Sequence, residues 1–126
     1  MKGEARMRVW VYFNLHKKVW SVMAMEGPDK GRVIARSSHV VLDNPVGKVR
    51  QGGRRKVIAT GKKNVHAGII GQLVSLDAAP ELAGLGRGVT YNPFKYESFV
   101  YVDDKARFEG AGHAYFDAGD RSVMVA

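Results

Sequence analysis

Short apolar runs separated by polar breaks dominate the first part of the chain. Residues 9–15 (VWVYFNL) and 19–25 (VWSVMAM) are rich in β-branched and aromatic side chains, and His16, Lys17 and Lys18 separate them. Two β-prone runs joined by three polar residues predict a β-hairpin. Because both runs are apolar at consecutive positions, we expect this hairpin to lie in the middle of the core.

The next segments predict short strands joined by turns. The turn signal GPDKG at 27–31 comes first. Short strands are predicted at 32–36 and 39–43, and the second is expected to end at Asp43-Asn44-Pro45.

Residues 49–60 (VRQGGRRKVIAT) predict a short helix. Val49, Gly53, Val57 and Ile58 would share one face of it. The adjacent glycines oppose this assignment, since each costs about 1 kcal/mol relative to alanine in a helix.

The second half of the chain returns to a β-like pattern. Residues 65–76 predict a strand in which Gly68 and Gly71 mark either a bulge or a close backbone approach. Residues 77–88 predict a loop with one helical turn after Pro80. The remaining predictions are a β segment at 89–102 that Asn92-Pro93 interrupts, a turn at 103–105, and three closing strands at 106–110, 113–117 and 121–126.

Many short strands with turns every 8–12 residues define the expected fold class. We expect a mainly β fold, a small antiparallel barrel or sandwich, or an α+β fold with an antiparallel sheet and one or two short helices. The length of 126 residues fits a single domain over 1–126.

Composition narrows the classes of protein that fit. Hydrophobic residues make up 45% and charged residues 25%, as in soluble globular proteins. No apolar run reaches the roughly 18–20 residues of a membrane span. The absence of cysteine excludes disulfides and thiolate metal sites, and HExxH and CxxC motifs are also absent. We therefore expect no metal, no cofactor and no membrane, and a location in the cytoplasm, since the N-terminus lacks a signal-peptide pattern.

The charge is uneven along the chain. The formal net charge is +8; residues 1–63 carry fifteen Lys or Arg and four Asp or Glu, and residues 64–126 carry five and eight. The window from Asn44 to Leu76 contains no acidic residue. Such a cluster attracts polyanions, of which nucleic acid is the commonest. A nucleic acid or a nucleotide is thus the leading partner; an acidic protein partner and a merely solvated face are the alternatives.

A second signal is the alternation of aromatic and polar residues in TYNPFKY, residues 90–96. Aromatic side chains beside an amide and a base can stack on nucleobases and contact phosphates. The alternative is a core strand whose tyrosines reach a polar rim. The candidate nucleic-acid-binding residues are Lys17, Lys18, Lys48, Arg50, Arg54, Arg55, Lys56, Lys62, Lys63, Asn64, Tyr91, Asn92, Phe94, Lys95 and Tyr96.

Two histidines beside lysines suggest an enzymatic alternative. His16 adjoins Lys17 and Lys18, and His66 follows GKKNV. Such a pair can cleave RNA without a metal, one imidazole as general base and the other as general acid. Nothing in the sequence brings His16 and His66 together. We therefore favour structural roles for both: His16 as a solvated turn residue, and His66 as a hydrogen-bonded, half-buried residue. We expect a binding protein rather than a nuclease or phosphodiesterase.

The segments YFNLHKK, GRVIA, GKKNVHAG and VTYNPFKY together resemble a group of small proteins of tailed bacteriophages and prophages. The resemblance runs over residues 9–100 and carries no catalytic signature. It implies a protein made in the bacterial host cytoplasm, with a role in host takeover, defence evasion or nucleic-acid handling. An inhibitor of a host defence factor, a nucleotide-sequestering protein and a virion component are therefore further alternatives. The oligomeric state stays open.

Overall fold

A computed structural model describes residues 6–76 and 86–126, which form an antiparallel sheet and a helix. The elements are β1 (Arg8–Asn14), β2 (Val19–Ala24), β3 (Val33–Ser37), β4 (His39–Val49), α1 (Gln51–Thr60), β5 (Ala67–Ser75), β6 (Arg87–Thr90), β7 (Val100–Tyr101), β8 (His113–Asp117) and β9 (Ser122–Val125).

The nine strands lie in the order β3-β2-β1-β5-β4-β8-β9-β6-β7, with antiparallel neighbours throughout. The prediction of a mainly β, antiparallel fold with a short helix is confirmed. The sheet is not a closed barrel, because β3 and β7 stand at its two ends and no pairing between residues of the described chain joins them.

The sheet curls around a single apolar core. The rings of Trp20 on β2 and Phe116 on β8 lie 5.0 Å apart although three strands separate these two in the sheet. Such contact across the concave face removes both rings from water and stabilises the curvature. The buried core residues are Val9, Val11, Trp20, Val22, Val40, Leu42, Ile69, Val89, Phe99, Phe108, Ala114, Phe116, Val123 and Val125.

The predicted N-terminal hairpin is confirmed. β1 and β2 pair from Val9 with Ala24 to Asn14 with Val19, and β1 also pairs with β5. Val9 and Val11 point into the core, and Trp10 between them is only 1% exposed. The hairpin is therefore buried on both faces, as its consecutive apolar residues predicted.

The expected end of a strand at Asp43-Asn44-Pro45 is wrong. β4 continues through these residues to Val49, and its register with β5 shifts between Asp43 and Val46. Asn44 adopts a left-handed conformation with φ of 52°. A bulge at this point places Pro45, which has no N–H to donate, outside the regular ladder, so the strand bends instead of ending.

Gly68 and Gly71 on β5 allow the close approach that the sequence predicted. A Cβ atom on Gly71 would lie 2.8 Å from the Asp43 carbonyl oxygen, and one on Gly68 would lie 2.6 Å from the Val11 carbonyl oxygen. Both distances are shorter than real contacts of Cβ atoms. Any side chain at either position would therefore push neighbouring strands apart.

The predicted strand at 106–110 is not formed. The segment makes a single bridge between Arg107 and Val100, and Gly110 has φ of 129°, which ends the extended backbone. Phe108, 2% exposed, fixes the segment against the core. The other two closing strands are confirmed as β8 and β9. Residues 77–85 of the loop and helical turn predicted over 77–88 lie outside the described residues, and the end of that prediction is wrong because Arg87 and Gly88 belong to β6.

Candidate nucleic-acid interface

An open cleft of about 860 Å³ lies between β1, the segment that follows α1 and the segment that follows β6. This volume falls within the range of roughly 300–1,000 Å³ typical of ligand sites. Its lining includes the aromatic side chains Tyr12, Phe13, Trp20, Tyr91, Phe94 and Phe99, the amides Asn14, Asn64 and Asn92, and the basic side chains Lys63, His66 and Arg121.

The chemical character of the cleft is aromatic and positive. Lys63 and Arg121 contribute its charged groups, and no carboxylate of the described residues lines it. A planar ring system with an attached anion matches such a surface, because the ring stacks on aromatic faces while the anion meets the cations.

Phe94 stands at this cleft with 62% of its surface exposed. Within residues 6–76 and 86–126 it is the only aromatic side chain that is exposed. A turn presents it: the Phe94 amide donates to Asn92 Oδ1 at 2.9 Å, and the Tyr96 amide donates to the Asn92 carbonyl at 2.9 Å. This interruption of the β pattern at Asn92-Pro93 was predicted, and it turns Phe94 outward.

Arg54 ties this turn to helix α1. Its Nε donates to the carbonyl oxygens of Pro93 and Tyr96, each at 3.1 Å, and the side chain is half-buried. The guanidinium also lies beside the Tyr91 hydroxyl. Arg54 therefore fixes the turn that carries Phe94, a role that the sequence did not indicate.

A directional chain of hydrogen bonds runs beneath the cleft through His66, which is 6% exposed. Asn64 Nδ2 donates to the Gly53 carbonyl at 3.2 Å, which turns Asn64 Oδ1 toward His66 Nδ1 at 2.9 Å. His66 Nδ1 faces only oxygen acceptors of Asn64 and so carries the proton. In a neutral imidazole Nε2 is then an acceptor, and the Tyr91 hydroxyl donates to it at 2.8 Å.

Burial raises the pKa of the Tyr91 phenol above its ordinary value of 10.0, and the neighbouring Arg54 guanidinium offsets part of this effect. The phenol thus stays protonated at neutral pH and keeps donating to His66. Its ring is held in one orientation at the wall of the cleft.

Most of the predicted basic residues lie on the surface outside the cleft. Lys63 lines the cleft, and the Arg50 guanidinium stacks over the Trp10 ring at 4.4 Å. No carboxylate of residues 6–76 or 86–126 forms an ion pair with any of these cations. The exposed ones are Lys17, Lys18, Lys48, Arg50, Arg55, Lys56, Lys62, Lys63 and Lys95. The structure thus separates two sets of candidates: Lys63, Asn64, Tyr91, Asn92 and Phe94 line one cleft, while the other residues, Tyr96 included, do not.

The structure does not bring His16 and His66 together at this cleft. His16 lies exposed in the β1–β2 turn, where its amide donates to Asn14 Oδ1 at 3.0 Å, and it does not line the cleft. Both ring nitrogens of His66 are already hydrogen-bonded. The part of the chain that is described holds no cluster of three His, Cys, Asp or Glu side chains suited to a metal ion.

Sequence reasoning missed Arg121, Tyr12 and Phe13 as cleft residues. Arg121 is an isolated base in the acidic half of the chain, so no charge run marked it. Tyr12 and Phe13 stood in an apolar run and were assigned wholly to the core. Only the curvature of the sheet brings these three beside Phe94.

The sequence matches the profile of the family described as the Mycobacterium phage L5 gene 82 protein over residues 2–124. The chain belongs to this family. The Gene 82 protein of Mycobacterium phage L5 itself is 46% identical over 124 residues, which cover 93% of this chain and 96% of that protein. No solved structure shows a significant match.

Membership of the gene 82 family confirms the resemblance to small phage proteins that the sequence segments indicated. In the described portion of this family member no helix is long and apolar enough to cross a membrane. The family description names a phage and a gene but no reaction or ligand. A function for this chain must therefore be inferred from the residues and the geometry of the cleft.

Proposed function

We propose that the protein binds single-stranded nucleic acid in the cytoplasm of the phage's host. In this proposal bases enter the aromatic cleft and phosphates contact the basic residues at and beside its rim. The main observation behind this proposal is the exposed Phe94, which a hydrogen-bonded turn presents at the cleft. Among the residues that the structure describes, cations line this cleft and carboxylates do not.

The aromatic part of the cleft supports base stacking. A solvated phenylalanine ring costs free energy unless a partner covers it, and stacking of a base on an aromatic ring contributes about 1–3 kcal/mol. The backbone that carries Phe94 is fixed by the Asn92 turn and by Arg54, so little backbone entropy is lost when a base stacks on the ring. Duplex bases are already stacked on each other, which favours a single strand.

The basic part supports phosphate binding. Lys63 stands in the cleft, Lys62 precedes it, and Arg55 and Lys56 are exposed on the adjoining helix α1. No described carboxylate pairs with these four residues. A phosphate that replaces their counterions gains entropy, so affinity should fall as salt rises.

The test is fluorescence anisotropy with labelled single-stranded RNA, single-stranded DNA and duplex DNA over a series of salt concentrations. We expect the single strands to bind more tightly than the duplex, with log K falling linearly with log salt by about 0.7 per phosphate contact. Absence of binding to every probe at low salt would refute the proposal.

Two variants locate the site. Phe94→Ala should weaken single-strand binding about tenfold, equivalent to ~1.4 kcal/mol. Ile58→Ala removes a side chain that is 46% exposed but does not line the cleft, and it should leave affinity unchanged. If both variants bind like the wild type, the strand does not use this cleft.

A separate experiment tests the nuclease hypothesis. Each probe is incubated with the protein in EDTA and then run on a gel. The hypothesis requires that the probe is cleaved, and that either single substitution, His16→Ala or His66→Ala, abolishes the cleavage.

A further inference from the structure

Arg121 lines a second depression besides the cleft. This depression has a volume of about 490 Å³ and is bounded by β6, β9 and the turn after β7. The two depressions share Val89, Thr90, Arg121 and Val123 as lining residues. They therefore adjoin along these four residues, Arg121 among them, and together they are termed the groove.

Arg121 is a cation to which the described part of the chain supplies no ion-pair partner. It is exposed in the turn between β8 and β9, and its guanidinium lies 4.5 Å from the centre of the Phe13 ring. No carboxylate within residues 6–76 and 86–126 forms an ion pair with it. Cation–π contact with Phe13 holds the group in place but leaves its charge uncompensated, and its N–H donors remain suited to a phosphate.

Arg87, the other arginine of the second depression, is already neutralised. It donates to Asp103 at 2.7 and 3.1 Å, lies 3.3 Å from Asp104, and stacks on Tyr101 at 3.7 Å. The two carboxylates more than balance the single positive charge of the guanidinium, so this cluster offers an incoming anion no net attraction. Apart from Lys63, the cation available to an anionic group in the groove is therefore Arg121, which forms no ion pair with a described carboxylate.

We infer that the ligand is a strand of at least two nucleotides that passes over Arg121, with the phosphate between two nucleotides bound to the Arg121 guanidinium. One base would occupy the aromatic cleft and the next nucleotide the second depression. This inference rests on the proposed function and makes it specific: the groove binds a chain, and a free mononucleotide fills only one part of it.

The test compares a mononucleotide, a dinucleotide and a twelve-nucleotide strand of the same base as competitors of a labelled strand. We expect the dinucleotide to bind at least tenfold more tightly than the mononucleotide. Arg121→Asn should remove that gain and reduce the salt slope of strand binding by about 0.7–1. Asparagine tolerates the left-handed conformation of this position, φ of 58°, so the turn is retained. Arg121→Lys is the second variant should the first fail to fold, and it should restore part of the salt slope.

Arg107→Gln is the matched control. It should leave the salt slope unchanged, because Arg107 is an exposed arginine that lines neither depression. If mononucleotide and dinucleotide compete equally well, or if Arg121→Asn binds all three ligands like the wild type, the inference is overturned while strand binding stands. If the twelve-nucleotide strand itself does not bind, the proposed function fails first.

Discussion

At the scale of single residues, His66 is the position whose role the structure defines most closely. Its ring is 6% exposed and uses both nitrogens, one toward Asn64 and one toward Tyr91. A buried polar ring without these partners would be costly to desolvate. The same contacts orient Tyr91 at the cleft wall, so a structural network supports a candidate binding surface.

Tyr91→Phe should lower the free energy of unfolding by about 1–3 kcal/mol. The substitution leaves the buried His66 Nε2 without its donor, and an unsatisfied buried group loses its solvation on folding. Urea denaturation at neutral pH measures the change. Strand affinity should change less than in Phe94→Ala, because the aromatic ring remains at the cleft.

The raised pKa of Tyr91 also predicts a pH dependence. The unfolded chain releases this proton near the ordinary value of 10.0, whereas the folded protein holds it to higher pH. Between these two pKa values the folded state binds more protons than the unfolded state, so the free energy of unfolding falls as pH rises. The contribution is complete below pH 10 and is lost above it.

Denaturation of wild type and Tyr91→Phe from pH 8 to 11 checks this prediction. The difference in stability between the two proteins should shrink as the pH rises above 10. A difference that stays constant over this range would show that Tyr91 titrates alike in the folded and unfolded states.

At the scale of elements, helix α1 illustrates how packing overrides propensity. Its sequence contains Gly52 and Gly53, which oppose helix formation. The structure gives them different roles: a Cβ atom on Gly52 would approach only the Arg55 side chain, at 3.9 Å, whereas one on Gly53 would lie 2.5 Å from His66 Cβ. Gly53 is therefore the point at which the helix approaches the buried His66 network.

Gly52→Ala and Gly53→Ala should consequently change stability in opposite directions. The first should stabilise the protein by up to about 1 kcal/mol through helix propensity. The second should destabilise it, since His66 Cβ belongs to a buried residue near the backbone that cannot move away cheaply. Thermal unfolding of the two variants provides the comparison. Equal shifts would mean that the helix does not approach His66 so closely.

At the scale of the whole molecule, curvature of the sheet creates both the core and the groove. Trp20 meets Phe116 across the concave face, and Trp20 also lines the cleft. The same bend brings β1 beside the turn that carries Phe94. Fold and candidate site are thus two consequences of one tertiary feature.

Phe116→Ala should lower the free energy of unfolding by roughly 3–5 kcal/mol, because it opens a cavity where distant strands meet. Phe94→Ala, which removes the same ring from an exposed position, should change stability by less than about 0.5 kcal/mol. Chemical denaturation of both variants measures the contrast. A large loss in Phe94→Ala would mean that this ring is part of the core and not free for a ligand.

The sequence by itself determined the local features of this protein. Apolar runs, turn residues and polar breaks predict the hairpin, the helix, most strands and the interruption at Asn92-Pro93, because these depend on neighbouring residues. The same local reasoning failed at two places. A strand was expected to end at Pro45, where a bulge lets β4 continue. A strand was expected at 106–110, where the partner strand β7 is too short to form more than one bridge.

Only the tertiary structure decided which side chains share the groove. Arg54 and Arg55 are adjacent in sequence, yet one fastens the Phe94 turn and the other faces solvent. Arg121 reaches Phe13 from more than a hundred residues away. Strand order and sheet curvature bring such residues together, and they result from long-range packing of the whole core, which no local pattern encodes.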